Sequence, residues 1–498
     1  MLFNSYVFVF LFFPLCLGGF YGLRKRGSII AVKAVLTLLS LWFYAFLNPL
    51  NLPALLVSMA GNYGIYRLMK RRTADGGGRP VLILGIALNL LALFVFKYTG
   101  SAFAPLGISF FTFSQIAFLV QGYKGNLKKT GFADYAFYVT FFPKLIQGPI
   151  ALPEEMEGQV ETAAERPFDW ECFYRGLNLF LFGLAKKVLL ADTLGRAVDQ
   201  GYNSLNALNS ADALIVTVSY TLQLYFDFSG YCDMASGAAQ MLGFSLPLNF
   251  HSPYKAGNII EFWKGWHITL TRFFTRYLYI PLGGSRRGRW RTYRNILIVF
   301  FVSGIWHGAG PSFLVWGMLH GILYVLTRYR MDVRKRHMER DAGRKTGCSE
   351  DPDRIPGAGG LLLKKGRRLL SVAGTFLYVN AAWVFFRSPS LGVAVSLLRK
   401  ILSFRFGRLN WELAGCFNLD EFWYVIKVLR IDRWQYAHYI LMVLILAGLL
   451  WLVFFGRTAQ ECAQRVKPKL LHTGAMAVLF LWCIVTFSNV TSFIYFNF

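Results

Sequence analysis

The chain has 498 residues, of which 55% are hydrophobic, 17% aromatic and only 16% charged, and its mean hydropathy is +0.42. Soluble domains carry about 25% charged residues, so this composition excludes a water-facing globular protein and indicates an all-α, polytopic integral membrane protein. The formal charge of +27 would suit nucleic acid, but the basic residues sit in short clusters between apolar runs, a pattern that orients helices and meets anionic lipid headgroups and so sets nucleic acid aside as a partner.

A spanning helix needs about 20 mostly apolar residues. In chain order, candidates fall at 6–23, 29–48, 52–69, 81–98, 103–123, 133–150, 174–190, 213–228, 295–309, 312–327, 369–386, 439–455 and 474–488, roughly a dozen in a single membrane domain covering 1–498. The first has no charged segment before it and is followed by Arg24, Lys25 and Arg26, so it reads as a retained helix rather than a cleaved leader. The acidic stretch 154–171 follows Pro153 and contains Pro167, and is expected to be a solvated loop. Residues 328–368 are basic, with Gly and Pro, and read as a flexible cytoplasmic connector. Between strong spans, 250–294 alternates aromatic residues and charges. Phe262, Trp266, Leu270, Phe273 and Phe274 fall near helical spacing, which predicts a tilted or interfacial helix beside an internal cavity.

The seven cysteines are scattered without a Cys-x-x-Cys pair, and neither a disulfide framework nor a zinc site is indicated. P-loop, His-Glu-x-x-His and Gly-x-Ser-x-Gly patterns are missing from the sequence. Of the seven histidines, His307 stands at the end of an apolar span, in Ser303-Gly304-Ile305-Trp306-His307-Gly308-Ala309. An ionisable side chain inside a membrane segment is costly and faces a cavity or the protein interior; the flanking small residues allow close approach. It reads either as a proton acceptor or as a histidine that hydrogen-bonds a neighbouring helix. His320 follows on the next span, and His267 lies in the aromatic-basic region. Arg272 and Arg276 are one turn apart and could grip a phosphate, or meet headgroups. Asp227 and Asp233 either carry protons, as in a transporter, or pair with Lys or Arg.

Taken together, Leu222-Gln-Leu-Tyr-Phe-Asp-Phe-Ser-Gly-Tyr231, Asn249-Phe-His-Ser-Pro-Tyr254, Phe262-Trp-Lys-Gly-Trp-His-Ile-Thr-Leu270, Tyr279-Ile-Pro-Leu-Gly-Gly284 and Ser303-Gly-Ile-Trp-His-Gly-Ala309 resemble the membrane-bound O-acyltransferases, in the bacterial branch of the alginate O-acetyltransferase membrane subunit. Phe141-Phe-Pro-Lys-Leu-Ile-Gln-Gly-Pro149 and Phe493-Ile-Tyr-Phe-Asn-Phe498 match that branch too. One departure is Gly310-Pro311, where relatives often carry an aromatic residue. The resemblance implies helices around a central tunnel, with His307 as the signature histidine and His267 as the second polar position. It further implies acetyl-CoA or a similar thioester as donor substrate with no bound cofactor, and transfer toward an exported polysaccharide. Arg272, Arg276, Trp306 and His320 are then the expected substrate contacts, and an SGNH-type partner outside a bacterial inner membrane would complete transfer. Transfer of D-alanine to teichoic acid from a carrier protein is the alternative within the class; a transporter or flippase of lipid-linked glycan is the alternative outside it.

Overall fold

The computed structural model describes residues 1–24, 28–73, 77–98, 105–127, 130–344, 358–418, 427–430, 434, 436–489 and 493–494, with backbone alone at 341–344, 358–363 and 488–489. Among the described residues 79% are helical and no strand occurs. In chain order they are α1 (Phe8–Arg24), α2 (Ile29–Ala45), α3 (Asn51–Thr73), α4 (Gly78–Tyr98), α5 (Ile108–Tyr123), α6 (Phe132–Thr140), α7 (Phe142–Leu145), α8 (Pro153–Met156), α9 (Gln159–Glu165), α10 (Trp170–Ala185), α11 (Asp192–Asn203), α12 (Ser210–Met241), α13 (Ile259–Gly265), α14 (Ile268–Phe274), α15 (Arg289–His307), α16 (Pro311–Arg344), α17 (Ala358–Arg387), α18 (Leu391–Leu402), α19 (Trp411–Gly415), α20 (Ala437–Phe455), α21 (Ala459–Arg465) and α22 (Leu470–Val485).

Three of these are long and apolar enough to cross a membrane by length and composition: α4, α17 from Lys364, and α20; α1, α2 and α22 are shorter apolar helices. The inner helices mix polar residues with apolar ones because their neighbours are protein rather than lipid. The central one is α12, about 48 Å long, buried along most of its length. Against it packs α10, and glycines set the spacing: a Cβ on Gly183 would stand 2.6 Å from the Gly230 carbonyl. Close backbone approach through small residues is a membrane solution, where packing rather than water exclusion holds helices together. After α10 the chain makes a π-helical turn, Lys186–Ala191, which aims two lysines at α12. Lys187 lies 2.8 Å from Asp227 and 2.9 Å from Asp192, and Lys186 lies 2.6 Å from Asp233. These carboxylates are structural partners of lysine.

The structure departs from the sequence pattern in four places. The run at 133–150 is not one span: it breaks at Phe141 into α6 and α7, with Pro143 in the first turn of α7. The acidic stretch is not loop throughout, since Glu154 and Glu155 sit on α8 and residues 159–165 form α9. The expected connector is helix as far as Arg344, because α16 simply continues out of the apolar core, and α17 starts again at Ala358; 345–357 lie outside the described residues. Finally, the aromatic-basic region is two short helices and a π-helical turn (Thr275–Tyr279), not one helix.

Candidate active site

α15 delivers His307 in its last turn. The antiparallel α16 comes close enough that a Cβ on Gly317 would stand 2.5 Å from the Phe300 carbonyl, and one on Gly304 would stand 2.7 Å from the Phe313 carbonyl. This pressed pair of helices holds the imidazole 97% buried among the rings of Trp306, Trp316 and Phe386, with centroids 4.5, 4.7 and 5.2 Å away. Nδ1 of His307 is 2.7 Å from the backbone carbonyl of Ser303. A carbonyl oxygen only accepts, so Nδ1 carries the hydrogen and donates it, and Nε2 holds the lone pair of the neutral ring. The backbone of its own helix therefore selects the tautomer able to take a proton at Nε2.

His267 is set up in parallel by other means. It joins α13 to α14 at φ +44°, a left-handed conformation that histidine visits more readily than most side chains but that stores strain. Helical spacing across Trp266 and Leu270 gave no sign of this break. The imidazole is 1% exposed, and its Nδ1 is 3.0 Å from Oδ1 of Asn249. That oxygen also accepts from the Thr269 hydroxyl at 2.9 Å, while the Asn249 amide donates to Cys232 at 3.2 Å. An amide oriented by this network leaves Nδ1 as donor again.

His320, fully buried, lies between the roughly parallel rings of Phe262 and Phe300, with Trp263 and Trp316 each 5.2 Å away. Among the described residues neither of its ring nitrogens has a hydrogen-bond partner. Trp316 touches both His307 and His320, and His267 and His320 both lie close enough to act on His307 electrostatically. The fold thus gathers the three that the sequence singled out.

Beside them runs a cavity of about 350 Å³, walled by Trp263, Phe274, Phe300 and Ser303 and ending at Lys264 and Arg328. A second hollow of about 280 Å³ shares Ser285, Thr292 and Arg328 with it and adds Arg289, Lys335 and Arg336 together with Asp332 and Glu339, which pair with Arg328 and Lys335. An apolar passage thus starts one turn from His307 and opens among cations.

Arg272 and Arg276 do not stand free for a phosphate. Both terminal nitrogens of Arg272 meet the two oxygens of Glu155, with the Ile150 carbonyl as a further acceptor, and Arg276 bonds Glu154. They tie α14 and its π-helical turn to α8. Sequence reasoning also passed over the end of α4: Lys97 donates to the Trp306 carbonyl and lies 5.2 Å over that indole ring, and the Tyr98 hydroxyl bonds the Ile305 carbonyl. A cation on the unpaired carbonyls of a helix C-terminus is favourable. The available signal was a lysine inside an otherwise apolar run. Asn249 was legible only as part of a motif.

The model of the MBOAT, membrane-bound O-acyltransferase, family matches residues 63–347. Among curated proteins, the peptidoglycan O-acetyltransferase of Helicobacter pylori is 37% identical over 443 residues, covering 80% of this chain and 79% of that one. A probable alginate O-acetylase of Pseudomonas aeruginosa is 32% identical over 439 residues, 83% of this chain and 76% of its own. The teichoic acid D-alanyltransferase of Bacillus subtilis is 25% identical over 226 residues, 44% of this chain and 57% of its own.

Proposed function

The chain belongs to the membrane-bound O-acyltransferase family, and from that premise we propose that it transfers an acetyl group from cytosolic acetyl-CoA across the inner membrane toward hydroxyls of an exported polysaccharide. The observation that carries this reading is the bond from Nδ1 of His307 to the Ser303 carbonyl, which dedicates Nε2 to accepting a proton. His307 acts as general base on the acceptor hydroxyl; the alkoxide attacks the thioester carbonyl, the C–S bond breaks, and the proton passes to the departing thiolate. Proton transfer of this kind contributes roughly 10²–10⁴-fold. His267, with Nδ1 donating to Asn249, presents only an acceptor at Nε2 and so orients the donor rather than supplying a hydrogen bond to an oxyanion. Trp306 and His320 do not line the cavity beside Ser303; they pack around His307, Trp306 directly and His320 through Trp316.

The donor lies in the passage beside Ser303. From Thr292 to Ser303 the cavity follows α15 for about 16 Å. A pantetheine arm has thirteen bonds between its sulfur and its first phosphate, and at backbone-like extension these span about 15 Å. With the thioester beside Ser303, the phosphates arrive at Arg289 and Arg336, past Arg328, which pairs with Asp332 of its own helix, rather than at Arg272 and Arg276, whose guanidinium groups hold α8. The positive-inside rule puts this basic end at the cytosol. An SGNH-type partner outside is proposed to receive the acyl group.

The experiment is polysaccharide O-acetylation in cells that carry His307→Ala at unchanged membrane abundance. Loss of about 10²-fold or more is expected, and full acetylation would overturn the assignment. In liposomes, free CoA should appear only when acetyl-CoA and acceptor are both supplied. Turnover with an aminoacyl carrier protein, and none with acetyl-CoA, would move the reading to D-alanyl transfer.

A further inference from the structure

A groove of about 540 Å³ lies between α20 and α22, floored by α10 and the π-helical turn that follows it. It shares no lining residue with the cavity beside Ser303. Its wall follows α20 from Leu444 to Val453, about 14 Å of helix, and continues to Gly456 and Arg457 just past the helix end. The helical part is about the depth of one leaflet's hydrocarbon, half of a ~30 Å core, and Arg457 lies beyond it at the interface. Leu444, Leu449 and Leu452 make the wall apolar; Lys186 and Thr193 lie along the floor, and Ser252, Arg457 and Thr458 line one end. Lys255 also stands there, donating to the Gly456 carbonyl, and Arg368, at the basic end of α17, donates to the Lys255 carbonyl while pairing with Glu261. Among the described lining residues Lys186 is the one ammonium along the floor, and it is held by Asp233. Midway, Gly448 is exposed, and a Cβ built on it would meet nothing within 4 Å.

We propose that this groove seats one anionic phospholipid of the cytosolic leaflet, an acyl chain lying past Gly448 and the phosphate between Arg457 and Lys255. The match is in both charge and length: cations at headgroup depth, then one leaflet of apolar wall. Neither feature is called for by acyl transfer.

The test uses the purified full-length chain in detergent, titrated with phosphatidylglycerol or phosphatidylcholine and read by native mass spectrometry. One phosphatidylglycerol should be retained, with about a fivefold preference over phosphatidylcholine for a single basic residue at the headgroup. Arg457→Gln should abolish the preference and keep the lipid. Gly448→Phe should fill the groove and lose both lipids, while the unfolding temperature of the lipid-free protein does not fall. Equal retention of phosphatidylglycerol by Gly448→Phe, no preference in the wild type, or a second copy of the chain in place of lipid would each overturn the proposal.

Discussion

At the scale of single residues the site works through what holds each imidazole. His307 takes its tautomer from Ser303, a carbonyl that no side-chain substitution removes, whereas His267 depends on Asn249, a side chain that can be deleted. Asn249→Ala strips the acceptor from His267 and from Thr269 in a buried setting. A buried donor left without its partner costs about 1–3 kcal/mol, and the strained backbone at His267 loses one of the bonds that maintain it. The expected result is reduced acetylation with the chain still inserted, measured as product per unit of membrane-embedded protein. Unchanged acetylation would show that the ring of His267 has no catalytic bearing. Lys97 acts one step further out. Lys97→Met leaves the Trp306 carbonyl without its cation, and the expected loss of activity should exceed that of Lys97→Arg, which can restore the contact.

Between elements, the α15–α16 contact places His307 relative to everything else. Gly317→Val drives a side chain into the Phe300 carbonyl, and overpacking of this kind costs about 1–3 kcal/mol. A lowered unfolding temperature together with lost acetylation is expected. Gly366 on α17, where a Cβ meets nothing within 4 Å, is the control: Gly366→Ala should change neither. The bridge from α14 to α8 belongs to the same scale. The side chains of Arg272 and Glu155 remain 35% and 30% exposed, and partly exposed pairs contribute at most about 1 kcal/mol. Arg272→Ala, Glu155→Ala and the double variant should therefore show a coupling below that figure in thermal unfolding. A large drop in acetyl-CoA binding for Arg272→Ala alone, not mirrored by Glu155→Ala, would return the phosphate role to Arg272.

Over the whole molecule, the prediction concerns which side the passage opens on. Ser285 is exposed where the two hollows meet. Ser285→Cys should react with a membrane-impermeant maleimide in inside-out vesicles and be shielded in right-side-out ones. Saturating acetyl-CoA should slow the labelling. Labelling from the outer side would reverse the topology and remove the donor path with it.

Some of this could be had from the chain alone. Low charge and long apolar runs establish a membrane protein because a span is a property of twenty consecutive residues, and the Ser303–Ala309 motif marks His307 because an ionisable group there has to be accommodated. Asp227 and Asp233 were open between proton transport and pairing until Lys186 and Lys187 were seen beside them. The breaks at Phe141 and His267, the capture of Arg272 and Arg276 by α8, and the cap that Lys97 places on α15 came only from the tertiary structure. Each depends on which segment packs alongside, often more than a hundred residues away, and helical spacing records which face of a helix is apolar but never which partner meets it.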